Sequence, residues 1–145
     1  FGTLVTLAGG LHHVGFLQWF AGKSAGLAQG YAPSTMMIIL LVIFFVSHYF
    51  FASVTAHVTA LLGIFITTAA GITGVNVYQT AMLMAMSLGL MGIITPYGAG
   101  PSPIWYGSGY VSAKAFWALG FIFGFVYLAV FLLVGIPWFA MLHPA

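Results

Sequence analysis

The sequence predicts an all-α integral membrane fold built on a re-entrant helical hairpin and a discontinuous transmembrane helix. Three observations carry that prediction: a near-complete lack of charge, a long uncharged stretch interrupted at its middle by polar residues, and an apolar run that ends in clustered prolines and glycines. The 145 residues are 63% hydrophobic and contain two charged side chains, Lys23 and Lys114, with no Asp or Glu. A soluble domain carries charge on about a quarter of its residues, so lipid is the solvent that fits this composition. The net charge of +2 comes from two isolated lysines, which excludes the clustered basic surface that nucleic acid requires. Absence of Cys excludes disulfides and thiolate chemistry. The chain opens on Phe1 with no Met and no charged leader, and is expected to be part of a larger protein.

The hairpin follows from length. Residues 35–67 carry no charged side chain, yet the tripeptide Ser53-Val54-Thr55 sits in their middle. One continuous helix there would be about 50 Å long, against a hydrocarbon slab of about 30 Å. Folding back at the small, polar run 52–56 leaves arms of roughly 25 Å, too short to cross and long enough to reach mid-depth. A re-entrant hairpin over 34–68 is the economical solution, with protein or a watery cavity around its tip because lipid offers amides no partners.

Residues 1–11 read as the end of a transmembrane helix. After His12 and His13, residues 15–27 mix Phe16, Leu17, Trp19 and Phe20 with Gln18, Lys23 and Ser24. That pattern suits an interfacial helix, with Trp19 at headgroup level and Lys23 reaching water, and an ordinary loop is the competing reading. Residues 29–34 hold turn formers, and Ser34 is a candidate N-cap for the first arm. The second arm is expected to end near Thr68, with a turn at 71–74 before the apolar run 75–94.

Residues 95–103 then bring three prolines and two glycines, which no regular helix carries. Apolar and aromatic character resumes at 104–110. The stretch 75–111 therefore reads as one discontinuous membrane helix with an unwound middle, the alternative being an external loop at 95–103. Ser112, Ala113 and Lys114 mark a water-facing turn, and 115–141 form a full spanning helix with Trp117 and Trp138 at the interfaces. Pro137 and Pro144 fit its termination. Gly120 and Gly124 have the Gly-x-x-x-Gly spacing for close helix approach, expected within the chain's own bundle. A hairpin followed by a broken helix is what one half of an inverted-repeat transporter contains.

A re-entrant tip and a broken helix meeting at mid-membrane offer free N–H groups and unwound carbonyls. Anions suit the first and cations the second. With no Arg nearby, an anion would be held by amides and hydroxyls around Ser53 to Ala56 and Gly98 to Ser102, and a Na+ by backbone carbonyls and hydroxyls. Missing acids argue against a proton relay built from these residues. The five histidines are scattered: His48 and His57, nine apart, are expected on opposite faces of one helix, so a metal site is disfavoured. His57, four residues after Ser53, is expected to support the tip as a packing histidine. The Ser53/His57 pair and Gly107-Ser108-Gly109 admit an intramembrane serine protease reading, against which tight packing beside a helix break is the better explanation.

Segments 51–62 (FASVTAHVTALL) and 94–110 (ITPYGAGPSPIWYGSGY) resemble the divalent anion:sodium symporter family, and more closely its citrate/succinate and 2-oxoglutarate/malate translocator branch. The resemblance covers nearly the whole chain as the C-terminal part of the second inverted repeat. It implies an elevator-type carboxylate transporter, usually a homodimer, with substrate between two hairpin tips and two broken helices, one of each supplied here. The family's Ser-Asn-Thr tip signature falls on Ser53-Val54-Thr55, so Val54 stands where the family has Asn. Its Thr-Pro-Pro-Asn signature falls on Ala99-Gly100-Pro101-Ser102.

The resemblance implies substrate contacts at Ser53, Val54, Thr55, Ala56, Thr95, Gly100, Pro101 and Ser102, and a Na+ position through Tyr49, Ala52, Val54 and Gly98. Both signature departures favour the exchanger branch over sodium symport. Residues 1–30 would then be a helix end and the interfacial arm helix, and 31–145 half of the transport domain. The expected activity is exchange of di- or tricarboxylates across a bacterial inner membrane. The partners are the carboxylate, the first inverted repeat, a second protomer and the bilayer. Sodium-coupled symport and a channel subunit are the alternatives.

Overall fold

A computed structural model describes residues 30–142 continuously, together with Gly10, His13, Val14, Gly15, Gln18, Trp19, Gly22, Lys23 and Gly26. The described residues are all helix, turn and irregular chain. The helix end expected at 1–11, most of the interfacial helix at 15–27, and His12, His143 and Pro144 lie outside them. Within 15–27, Gln18, Trp19, Gly22, Lys23 and Gly26 are helical and exposed.

Helix α1, Pro33–Ser47, tightens into a 3-10 turn at His48–Phe50. Its N-cap is Ala32, which makes no side-chain cap, so Ser34 is not the cap expected of it. Pro33 occupies the first turn instead, where its missing N–H costs nothing and its fixed φ suits the helix. The chain then leaves helical geometry at Phe51 (φ −118°, ψ 133°) and Ser53 (φ −162°, ψ 151°) and restarts as α2, Val54–Ala70, with a π-turn at Val58–Leu62. Extended backbone open to any residue makes this reversal, so no glycine is needed at the tip.

α1 and α2 are antiparallel neighbours. Phe44 stacks on the His57 ring at 4.4 Å and meets Phe65 edge-on at 5.4 Å. The far ends close as well. The turn after α2 uses Gly74 at φ +85°, and a Cβ there would lie 2.9 Å from Pro33 Cγ at the start of α1. The second arm therefore ends at Ala70, two residues beyond Thr68, and the turn falls where the sequence placed it.

Helix α3, Val77–Met91, starts on Asn76, whose side chain accepts from the Gln79 amide at 3.0 Å. It packs across both arms. One apolar core joins Met37, Leu40, Leu41, Phe44 and Phe45 of α1 to Leu61 and Phe65 of α2 and Leu83, Met84 and Met91 of α3. The i, i+3, i+4, i+7, i+8 spacing on α1 aligns its five residues on one stripe. In a bilayer, close dispersion contact rather than expulsion of water rewards such packing.

Residues 92–101 are irregular, and a short helix, α4, Ser102–Gly107, follows. Ile94 and Thr95 are fully buried and Pro96 and Gly98 are buried, so this break is packed into the protein rather than looped outside it. Gly109 (φ +76°) turns the chain into α5, Ala113–Leu142. Ser112 caps α5 by accepting from the Ala115 amide at 3.3 Å, so Ala113 and Lys114 are first-turn residues and not the turn expected of them.

α5 ends at Leu142, close to the expected end at 141, and continues through Pro137. A π-turn at Phe131–Gly135 immediately precedes it, and such a turn loosens the i to i−4 ladder that a proline ring would otherwise strike. At 30 residues α5 is about 45 Å long, and it and Pro33–Phe50 are the described helices long and apolar enough to cross a membrane, so the first arm is longer than the expected arm too short to span. Trp117 and Trp138 are both exposed on α5.

α5 packs onto the break through its glycines. A Cβ on Gly120 would lie 2.8 Å from the Ile94 carbonyl oxygen and 3.0 Å from that of Ile93, and one on Gly124 would lie 2.6 Å from Ile94 Cγ2. The Gly-x-x-x-Gly spacing thus serves contact inside the chain, as expected.

Candidate functional site

The candidate site is the place where the hairpin tip meets the helix break, and the residues there are all neutral. Ser53 ends the extended tip and caps α2: its Oγ accepts from the Ala56 amide at 3.1 Å, and its carbonyl accepts from the His57 amide at 3.1 Å. That leaves Val54 and Thr55 as first-turn residues whose amides have no acceptor within the helix. These amides and the helix dipole give the tip a partial positive character without a charged side chain. Thr55 is exposed beside the half-buried Val54, while Ala56 turns inward and is buried.

Two hydrogen bonds join the tip to the break. His48 Nε2 lies 3.0 Å from the Gly98 carbonyl, and Tyr97 Oη donates to the Tyr49 carbonyl at 3.1 Å. A carbonyl only accepts, so Nε2 of His48 carries the proton and Nδ1 is an acceptor. Gly92 forms the floor between the two parts. A Cβ there would meet Ala99 Cβ at 3.2 Å and Val54 Cγ2 at 3.6 Å, so hairpin and break close on a glycine that leaves room for both. Ser102 Oγ reaches toward the Gly92 carbonyl at 3.5 Å, the outer limit of a hydrogen bond.

Thr95 Oγ1 and His48 Nδ1 are buried with no hydrogen-bond partner among the described residues. Each such atom costs about 1–3 kcal/mol relative to a satisfied one. The Thr95 hydroxyl and the bonded face of the His48 ring flank Gly98, where a Cβ would lie 2.8 Å from Thr95 Oγ1 and 3.0 Å from His48 Nε2. An uncharged fold tolerates that expense at one spot, directly between tip and break.

The structure therefore gathers Val54, Gly98 and Ser102 around Gly92, with Thr95 against Gly98 and Tyr49 joined through its carbonyl to Tyr97. It places Thr55, Gly100 and Pro101 on the exposed rim, with Ala52 and Ser53 half-buried in the tip. The expectation that His48 and His57 face apart on one helix is overturned: the break at residues 51–53 puts them on opposite arms, with ring centroids 5.2 Å apart. His57 is a buried packing histidine. Its Nε2 lies 3.1 Å from Ser47 Oγ, which itself donates to the Phe44 carbonyl, and its Nδ1 faces Met91 Sδ at 3.1 Å.

A Ser53–His57 dyad is not formed, because the Ser53 hydroxyl serves the Ala56 amide and the His57 ring points to Ser47 and Met91. Ser108 Oγ donates to the Trp105 carbonyl at 2.7 Å. Among the described residues no three His, Cys, Asp or Glu side chains gather into a metal-binding group. Sequence reasoning missed His48. The signal was available, since a histidine five residues before the polar tip in an otherwise apolar arm must find a partner across the bundle.

Comparison with known proteins supports the membrane reading from another direction. The transmembrane region of sodium:sulfate symporters matches residues 1–144. The chain belongs to this family. The likeness to the divalent anion:sodium symporters seen in segments 51–62 and 94–110 therefore holds, and the chain is part of a membrane transporter region rather than an enzyme.

Among relatives of this symporter family, the citrate/succinate antiporter of Escherichia coli (strain K12) is 44% identical over 139 residues, covering 96% of this chain. The L-tartrate/succinate antiporter of Escherichia coli (strain UTI89 / UPEC) is 40% identical over 139 residues. That of Escherichia coli (strain K12) is 39% identical over 136 residues, 94% of this chain. The chain spans 28% of the length of each of these relatives.

Proposed function

We propose that this chain supplies one half of the carboxylate site of a secondary antiporter that exchanges dicarboxylates or tricarboxylates of the citrate, succinate, malate and 2-oxoglutarate class. The observation that carries the reading is the closure of the hairpin tip on the helix break, where Val54 at the start of α2 packs against Gly92 and Ser102 reaches the Gly92 carbonyl, with no charged group present. In this reading Ser53, Thr55 and Ser102 hold substrate carboxylates. Val54, Ala56, Thr95, Gly100 and Pro101 shape the surrounding wall. The tip lies at half depth in a bacterial inner membrane, and the first inverted repeat supplies a matching tip and break. The unit moves as the mobile part of an elevator within a homodimer.

Exchange is favoured over sodium symport by the donor set itself. Of the carbonyls expected to coordinate Na+, that of Tyr49 accepts from Tyr97 and that of Gly98 from His48. Val54 brings no side-chain oxygen, and no carboxylate is present in the chain. Neutral carbonyls already engaged by internal donors make a poor shell for a hard cation. The test is uptake of radiolabelled succinate by the full-length protein in proteoliposomes, with and without internal dicarboxylate and with choline replacing sodium. Exchange requires internal substrate and ignores choline. Uptake that needs sodium and ignores internal substrate would reject it, and flux that needs neither identifies a channel.

A further inference from the structure

We propose that His48 is a positioning residue that fixes the gap between hairpin tip and helix break, and so selects the chain length of the carboxylate that fits; this rests on the carboxylate reading above. His48 is fully buried, and its ring is the link from the end of α1 to the backbone of the break. The acceptor is a backbone carbonyl at a glycine with no room for a side chain, its would-be Cβ lying 3.0 Å from Nε2 and 2.8 Å from Thr95 Oγ1. The Gly98 end is backbone without rotamers, and the His48 ring is enclosed by its complete burial. One rigid planar ring therefore sets the separation of the two parts.

The adjacent bond runs the opposite way. Tyr97, next to Gly98, donates to the carbonyl of Tyr49, next to His48. Two antiparallel links between neighbouring residues fix both the distance and the rotation of tip against break. The hydroxyls that contact substrate in the proposed site lie on either side of this brace, Ser53 and Thr55 beyond His48 and Ser102 beyond Gly98. A change in ring length or in the bond is thereby transmitted to the distance between carboxylate donors. Succinate and 2-oxoglutarate differ by one carbon between their terminal carboxylates, so their relative affinities report that distance.

The experiment compares His48→Phe, which keeps a ring of similar volume without the donor, with His48→Gln, which keeps an amide N–H of similar reach. In the full-length transporter H48F is expected to raise KM by about five- to tenfold, the weight of one buried hydrogen bond. It is also expected to change the KM ratio of 2-oxoglutarate to succinate while membrane levels and kcat hold. H48Q restores both values. An unchanged ratio in H48F, or an H48Q variant as impaired as H48F, overturns the inference.

Should H48F fail to insert, Tyr97→Phe breaks the companion link without disturbing the buried ring, and an unchanged ratio there is equally fatal. A readout independent of transport accompanies these. Spin labels on Thr55→Cys and Gly100→Cys, both exposed, are expected to show a broadened distance in H48F and the wild-type distance in H48Q. That measurement holds even if the wild-type protein carries no carboxylate, so it separates failure of the brace from failure of the proposed function. Identical distances in all three proteins refute the brace.

Discussion

Replacing Gly120 with Ala adds a single methyl group, and the structure fixes what that group meets. Its position is 2.8 Å from the Ile94 carbonyl oxygen and 3.0 Å from the Ile93 oxygen, both backbone atoms with no rotamer to escape through. A relaxed carbon–oxygen contact is about 3.3 Å, so α5 must withdraw from the break by about 0.5 Å. A gap of that size forfeits about a quarter of the dispersion energy along the seam, and overpacking of this kind costs about 1–3 kcal/mol.

At about 2–4 °C per kcal/mol, the melting midpoint of the detergent-solubilised transporter is expected to fall by about 2–12 °C. Succinate exchange should fall with it, because Ile94 leads directly into Thr95. Gly89→Ala is the control. A Cβ at Gly89 meets nothing within 4 Å, and alanine gains up to about 1 kcal/mol of helix propensity over glycine. The same chemical change should therefore move stability in opposite directions at the two sites. A G120A protein that melts with or above G89A would refute the reasoning that α5 is seated on the break through this glycine.

Loss of the cap in Ser53→Ala is expected to cost α2 about 1 kcal/mol and to abolish exchange, while Ser53→Thr keeps the cap oxygen and retains transport; thermal melts and succinate uptake report the two effects. Thr55→Ala leaves the cap intact and should lose uptake with normal membrane levels, and unchanged kinetics there would remove the tip from the mechanism. Replacing sodium with choline should leave exchange unaltered when dicarboxylate is present inside. The exposed face of α2 borders a groove of about 610 Å³ lined by Gln18, Gly22, Thr59, Ala60, Gly63, Ile64, Thr67 and Thr68. Thr59→Cys and Thr67→Cys should accordingly react with a membrane-impermeant thiol reagent faster than Val134→Cys on the exposed apolar face of α5.

The hairpin was legible because its cause is local. An uncharged stretch too long for one span, with small and polar residues at its centre, announces two helices and a reversal, and the structure adds that Ser53 caps the second. The break was legible for the same reason, since prolines and glycines act on their own backbone, though it falls at 92–101 and not at the expected 95–103, with Pro103 tolerated in the first turn of α4. What escaped was set by partners distant in sequence. His48 and Gly98 are fifty residues apart, and nothing near either residue names the other. The distant pair Gly120 and Ile94 differed only because the glycine spacing revealed that something must come close. The end of α5 near residue 141 was legible, while the π-turn ahead of Pro137 was not, since such a turn leaves no mark in composition.

The paired links at 48–49 and 97–98 also bear on how such a molecule can work. A joint pinned at two neighbouring points resists pivoting about either. Under the transport function proposed above, tip and break would then travel together, and a slipping plane would be sought along the outer faces of the pinned pair.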